Sequence, residues 1–144
     1  MYKRQVLANK GTKKPLFLNN SLSEKIQSSE IQLENFNQQD WSLLHKAMES
    51  VVESDYGTAR RIRDQKDFPI AAKTGTGEII SLDSREEYER IREDQGLRDH
   101  AIIVAFAPVE KPKYAVSVII ENGESGGSVA GPVALRILKE LLKE

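Results

Sequence analysis

The sequence predicts an α+β fold, an antiparallel sheet flanked by helices, on three observations. Residues 70–72, 101–107 and 114–120 are short apolar runs bounded by glycine or proline, which is the pattern of strands. Six residues, 108–113, join the last two runs, a span that suits an antiparallel hairpin. Residues 40–53 and 133–142 instead carry their apolar side chains at helical spacing. Ile102-Ile103-Val104 and Val118-Ile119-Ile120 are contiguous and do not alternate, so both faces of those strands are expected to be covered, with helices on either side.

The elements follow in order. Residues 1–10 read as the tail of a helix, because Val6, Leu7 and Ala8 precede Asn9-Lys10-Gly11, where glycine supplies the left-handed cap. Residues 15–18 form a short apolar run ended by Asn19-Asn20-Ser21, and residues 23–39 are polar enough to be loop with one brief strand. Trp41, Leu44, Met48, Val51 and Val52 then mark a helix, with Asn37 or Asp40 available to cap it. Gly57-Thr58-Ala59 ends that helix and starts a basic turn, Arg60-Arg61-Ile62-Arg63, before Phe68-Pro69 returns the chain to extended structure. Within the charged stretch that follows, Ser84 and Glu87 form a capping pattern, Tyr88 and Ile91 share a face and Gly96 closes a helix. After a loop holding Gly123, Gly126, Gly127 and Gly131, the residues Val133, Ile137, Leu138, Leu141 and Leu142 make one stripe of a C-terminal helix, with Pro132 in its first turn. No internal repeat or low-complexity segment is evident.

Composition removes several function classes. The 144 residues hold 21 Lys+Arg against 22 Asp+Glu, so no basic footprint for nucleic acid or for an anionic membrane surface exists. The longest apolar run, residues 101–107, is far short of the roughly 20 residues of a spanning helix. Met1-Tyr2-Lys3-Arg4 does not open a leader of the secretory kind. The chain has no cysteine and two separated histidines, His45 and His100, which excludes thiolate metal sites and gives no zinc motif. Neither a metal nor another cofactor is expected, and chemistry must come from Lys, Ser, Thr and carboxylates.

The sharpest chemical signal is Lys73-Thr74-Gly75-Thr76-Gly77, which extends the strand begun at Ala71-Ala72, with Glu78-Ile79-Ile80 continuing it. A phosphate loop needs its glycines before the lysine and a helix directly after, and here that order is reversed. On a sheet edge, a lysine, two hydroxyls and a glycine suit an acyl substrate, since cation and hydroxyls hold a carboxylate while bare backbone pairs with a peptide. Alone, the tripeptide is better explained as a solvated strand lysine beside a bulge.

Its surroundings carry more. Ala71-Ala72-Lys73-Thr74-Gly75-Thr76, preceded by Ala47-Met48-Glu49-Ser50-Val51-Val52 and Gly57-Thr58-Ala59, resembles the K-[ST]-G strand of class B penicillin-binding proteins and the helix and turn before it. Leu97-Arg98-Asp99-His100-Ala101, Val104-Ala105-Phe106-Ala107-Pro108, Glu121-Asn122-Gly123, Gly126-Gly127-Ser128 and Ala130-Gly131-Pro132 are similar to the elongation-type subfamily, in order along the whole chain. The resemblance implies residues 1–144 as the C-terminal part of a transpeptidase domain of the penicillin-binding protein/serine β-lactamase-like fold. It implies a peptidoglycan D,D-transpeptidase that cross-links stem peptides through an acyl-serine and is acylated by β-lactam antibiotics.

None of the twelve serines begins S-x-x-K or S-x-N, so the nucleophile is expected in an upstream part of the domain, and this chain alone is expected to be inactive. Carried over by resemblance, Lys73 and Thr74 position the terminal carboxylate of substrate or penicillin, and Gly75 leaves room for it. The Thr76 backbone N–H supplies half of an oxyanion hole, and its hydroxyl is a further contact. Gly77 departs from the family's frequent alanine. The same resemblance implies the extracytoplasmic face of the bacterial cytoplasmic membrane, with an anchor upstream, and peptidoglycan stem peptide as partner. A non-catalytic binding or structural module of the same fold is the competing class.

Gly123-Glu124-Ser125-Gly126-Gly127 mimics the nucleophile stretch of chymotrypsin-like proteases, but a triad needs a histidine and a buried carboxylate brought together by two barrels. A flexible strand-to-helix loop is the simpler reading. His45 and His100 are expected to be structural or superficial, and the charges of residues 83–99 a solvated helix face.

Overall fold

A computed structural model describes residues 2–13, 29–30, 37–79 and 95–143 of the protein. Helix α1 spans Tyr2–Ala8 and closes where the sequence places its cap: Gly11 takes φ 96° and donates its N–H to Val6 O at 2.9 Å. Strand β1, Thr12–Lys13, pairs antiparallel with β2, Ser29–Glu30, the one brief strand expected in the polar segment. Helix α2 spans Gln38–Glu53 and is fixed by a reciprocal capping box. Asn37 Oδ1 accepts from Gln39 N at 2.7 Å and Asp40 N at 3.2 Å, while Asp40 Oδ2 accepts from Asn37 N at 2.7 Å. Such a cap is worth roughly 1 kcal/mol, because it satisfies donors that helix geometry leaves unpaired. A 3-10 helix, Arg60–Gln65, takes the place of the expected basic turn.

Strands β3 (Ala71–Gly77), β4 (His100–Ala107) and β5 (Tyr114–Ile120) form one antiparallel sheet in the order β3-β4-β5. The expected hairpin of the last two strands holds, and β3 pairs with the other side of β4. β3 ends at Gly77, so Glu78 and Ile79 do not continue it as the sequence pattern predicts. The partner decides this: Gly77 pairs with His100, the first residue of β4, and no ladder exists beyond it. Helix α3, Gly131–Leu142, closes the fold with Pro132 in its first turn. The expected strand at residues 15–18 and the helix closed by Gly96 fall on residues outside those described, apart from a 3-10 turn at Gln95–Leu97.

Register assigns the two faces of the sheet. Thr74, Ile103 and Val118 lie in one row and Ala72, Ala105 and Val116 in the next. This face meets Ala130, Ala134, Leu135 and Leu138 from the end of the chain and Ile62 from the 3-10 helix. Ile62, Ile103 and Leu138 are fully buried, and each such side chain stabilises the fold by about 1.5–3 kcal/mol. Among the described residues, the opposite face is packed most closely at one end. There Phe106 and Ala71 pack with Ala8, Met48 and Val109, and the His45 ring sits 4.9 Å from that of Phe106.

At the other end Ile119 is 58% exposed, which corrects the expectation that both faces are covered. Contiguous apolar residues are required of the central strand β4. In β5 the same contiguity leaves one isoleucine in solvent, because α1 and α2 reach only the Phe106 end.

Candidate active site

The run Lys73-Thr74-Gly75-Thr76 occupies β3, an edge of the three-stranded sheet among the described residues. Side chains alternate along it. Lys73 shares a face with Val104, and Thr74 the opposite face with Ile103. Lys73 is exposed, and its Nζ donates to the Thr74 carbonyl at 2.5 Å. The Thr74 hydroxyl meets that of Thr58 at 2.7 Å. Beside them lies an open hollow of about 290 Å³ lined by Ser50, Val51, Ser54, Tyr56, Gly57, Thr58 and Lys73. The strand thus presents an ammonium and two hydroxyls next to a glycine that covers nothing.

The turn after α2 sets Thr58 in place. Gly57 N donates to Ser54 O and Ala59 N to Val51 O, both at 2.9 Å. A Cβ on Gly57 would lie 2.4 Å from Val51 O, so only glycine lets the turn fold back against its own helix. Arg63 secures the far side, its Nη1 donating to Glu53 O at 3.0 Å and to Asp55 Oδ1 at 2.7 Å. That hydrogen bond, with the guanidinium charge, holds the Asp55 carboxyl below the usual carboxylate range and raises Arg63 in turn.

A second close approach comes from residues 126–130, which form a π-helical turn running into α3 and not the flexible loop that their glycines suggest. The turn is pressed onto backbone. A Cβ on Gly126 would lie 2.2 Å from Ile102 O and 2.8 Å from Gly75 O, and one on Gly127 would lie 1.8 Å from Thr58 O. Residues 126 and 127 thereby clamp β3 to the Thr58 turn from the core side. Ser125 serves the turn as a cap, its Oγ accepting from Ser128 N at 3.2 Å.

The histidines are structural. His45 is buried, with Nε2 2.7 Å from Leu7 O. His100 Nδ1 accepts from Asn122 N at 3.1 Å, and Asn122 Nδ2 donates to Gly96 O and Arg98 O at 2.9 and 3.0 Å. The segment before β4 is therefore held by the turn after β5.

Sequence reasoning located Lys73, Thr74, Gly75 and Thr76 on one strand, and the structure brings them together there. It did not single out Thr58, Ser50, Ser54 or Tyr56 as site residues. The available signal was a hydroxyl-rich turn between a helix and the strand. Among the described residues, no group of three or more His, Asp or Glu is placed to hold a metal ion, and no helix is long and apolar enough to cross a membrane.

Comparison with known proteins agrees with this arrangement. Residues 4–139 match the penicillin binding protein transpeptidase domain. The chain is 37% identical over 101 residues to the peptidoglycan D,D-transpeptidase MrdA of Salmonella typhimurium, covering 70% of this chain and 16% of that protein. The chain thus spans about one sixth of the length of that relative. Among solved structures, PBP2 of Pseudomonas aeruginosa in complex with WCK 5153 is similar with a TM-score of 0.70 and 30% identity, over 98% of this chain and 28% of that one. PBP2 of Helicobacter pylori, in its complex with MreC, is similar with a TM-score of 0.75 and 26% identity, over 99% of this chain and 24% of that one. With the family match running through nearly every element, the chain belongs to the penicillin-binding protein transpeptidase family, of the PBP2 type.

Proposed function

We propose that residues 1–144 form the C-terminal part of the transpeptidase domain of a peptidoglycan D,D-transpeptidase, and supply the carboxylate-binding wall of its active site. The observation that carries this reading is the Lys73–Thr76 run on a sheet edge, beside a hydroxyl-lined hollow, in a chain that matches the family from residue 4 to residue 139. In the whole enzyme a serine outside this chain attacks the carbonyl of the terminal D-Ala–D-Ala peptide bond of a stem peptide. The terminal D-Ala leaves, and the acyl group passes to an amine of a second strand. A β-lactam enters the same path at its ring amide.

Lys73 provides charge for the terminal carboxylate, and the Thr74 side provides hydroxyls. The Thr74 carbonyl is available to Lys73 Nζ. Since the N–H and C=O of one residue share a side and alternate residues repeat it, the Thr76 N–H has the same orientation. This supports the Thr76 N–H as one of two donors to the tetrahedral oxyanion. Such an enzyme works outside the cytoplasmic membrane, on peptidoglycan and not on nucleic acid.

The test is acylation. In the longest natural product that joins this chain to an S-x-x-K serine, Lys73→Ala is expected to slow reaction with a labelled penicillin by roughly 10- to 150-fold, the loss of one charge-assisted contact of about 1.5–3 kcal/mol. The fold should be unchanged. The 144-residue chain alone is expected to give no covalent adduct by mass spectrometry. Unaltered acylation in the lysine variant removes the role given to Lys73. A stoichiometric adduct on the isolated chain, lost on prior denaturation, overturns the placement of the nucleophile. The competing reading, a non-catalytic module of the same fold, draws on the missing S-x-x-K and predicts no acylation in any natural context.

A further inference from the structure

Thr58 is an exposed residue between two buried ones, Gly57 and Ala59. Its backbone is held on both sides, since Gly57 N and Ala59 N bond back to Ser54 O and Val51 O at 2.9 Å and Gly127 closes on the Thr58 carbonyl. Its hydroxyl is turned to the strand, with Oγ1 2.7 Å from Thr74 Oγ1. A bond between two hydroxyls that water can reach adds little to stability, because water replaces either partner. The turn therefore fixes a hydroxyl against the one assigned to the ligand's carboxylate, at little gain to the fold.

We propose that Thr58 is a positioning residue for the carboxylate site: it donates its proton to Thr74 Oγ1, so that Thr74 gives its own to the ligand. Proton counting fixes this direction. A hydroxyl carries one hydrogen and two lone pairs, and an ionised carboxylate only accepts. One proton lies on the line between the two threonine oxygens. Were it the proton of Thr74, that residue would meet the carboxylate with lone pairs alone, and the two oxygens would repel. With Thr58 as donor, Thr74 keeps its hydrogen off that line, and the bond it accepts polarises the bond it makes. Without a carboxylate either hydroxyl can donate, so ligand binding selects one of two proton arrangements of a pair already in contact. The inference rests on the carboxylate-site reading of Thr74 and adds to it a residue sixteen positions upstream, outside the K-T-G run.

The test uses the natural protein that includes the S-x-x-K serine, and reads the second-order rate of acylation by a labelled penicillin. Thr58→Val keeps the shape and removes the donor, and should slow acylation roughly 3- to 10-fold, the worth of one ordinary hydrogen bond. Thr58→Ser keeps the donor and should retain most of the rate. A packing role for Thr58 reverses that order, since valine keeps the methyl that serine lacks. Thr74→Val should lose more, and Thr58→Val/Thr74→Val no more than Thr74→Val alone, because Thr58 acts through Thr74. Chemical denaturation establishes that each variant is folded, and Thr58→Ala removes the same donor if the valine variant is not. Acylation unchanged on loss of the Thr58 donor, a serine variant as slow as the valine one, or additive losses in the double variant overturn the proposal, while Lys73→Ala judges the transpeptidase reading separately. A parent that takes up no penicillin overturns both.

Discussion

The two edges of the sheet solve different problems with the same backbone. β3 gives up packing. Of its residues, Ala71 and Ala72 are buried, and the rest carry a lysine, two threonines and two glycines toward solvent or a shallow hollow. β5 keeps packing, with Val118 buried and Val116, Tyr114 and Ile120 against the core. An edge meant for a ligand must leave its polar backbone reachable, which costs the strand its own side-chain contacts. β3 recovers support from behind: the 126–130 turn presses on it from the core side, and Thr58 bonds Thr74. β5 depends instead on its apolar rows against the core side of the sheet.

The sharpest way to break the β3 arrangement is to separate it from its clamp. Gly127→Ala would set a methyl 1.8 Å from the Thr58 carbonyl, and that atom is backbone that cannot swing aside. The expected cost is about 3 kcal/mol, the upper end of ordinary overpacking, read by chemical denaturation. Separation of the turn from Thr58 should follow, with loss of the Thr58–Thr74 bond. A variant as stable as the parent would show that the turn is not held against Thr58.

A smaller effect is expected from Thr74→Val. It removes one hydroxyl of the 2.7 Å pair and leaves Thr58, which is exposed, free to bond water. Because the orphaned partner keeps solvent, the loss should be about 1 kcal/mol or less. The reverse substitution at the core row of β5, Val118→Thr, would bury a hydroxyl without a partner and should cost more. Equal costs at the two sites would erase the contrast between the edges.

Much of this was legible in residues. The capping box at Asn37 and Asp40, the spacing of Trp41 to Val52 and the stripe of the C-terminal helix are local signals, and they gave α2 and α3 to within a few positions. The three strands followed from short apolar runs, and Lys73–Thr76 from a motif contiguous in sequence. What stayed hidden is set by tertiary structure. The end of β3 at Gly77 depends on where β4 begins, and no property of Glu78-Ile79 reveals it. Residues 126–130 look like a flexible loop because glycine permits many conformations. The reason for glycine there is the carbonyls of Ile102 and Thr58, which come from other elements. Thr58 escaped as a site residue because its partner is sixteen positions away, beyond any periodicity.

Gly75→Ala separates fold from site more finely. A Cβ there would meet Ile102 side-chain atoms at 3.6 and 3.8 Å, which is ordinary contact. Alanine should therefore leave stability unchanged or raise it by up to about 1 kcal/mol, since glycine in a strand loses more conformational freedom on folding. In a protein that includes the serine, penicillin acylation should nonetheless fall, because the new methyl stands beside Lys73 on the surface that the carboxylate approaches. Stability and acylation moving in opposite directions would mark Gly75 as bare for the ligand and not for the sheet. If acylation is untouched, the glycine has no ligand to accommodate.

The smallest effect is the pH response of the Arg63–Asp55 pair, which secures the turn carrying Thr58. Asp55 has its carboxyl pKa lowered in the folded chain, first by the hydrogen bond from Arg63 and then by its charge. A carboxyl whose folded value lies below its unfolded value binds fewer protons folded than unfolded, so its contribution is fully present above the ordinary carboxylate value near 3.8. The contribution is lost as pH falls through the lowered folded value. The stability difference between the parent and Asp55→Asn should accordingly be constant from neutral pH to about pH 5 and shrink below about pH 4. Asp55 is exposed and Arg63 half-buried at the surface, so the difference should also shrink in high salt, where charge pairs at the surface are screened. A difference that persisted unchanged to low pH would mean that Asp55 holds the turn by packing or by neutral hydrogen bonding. The charge of Arg63 would then matter for its bond to the Glu53 carbonyl and its contact with Asp64.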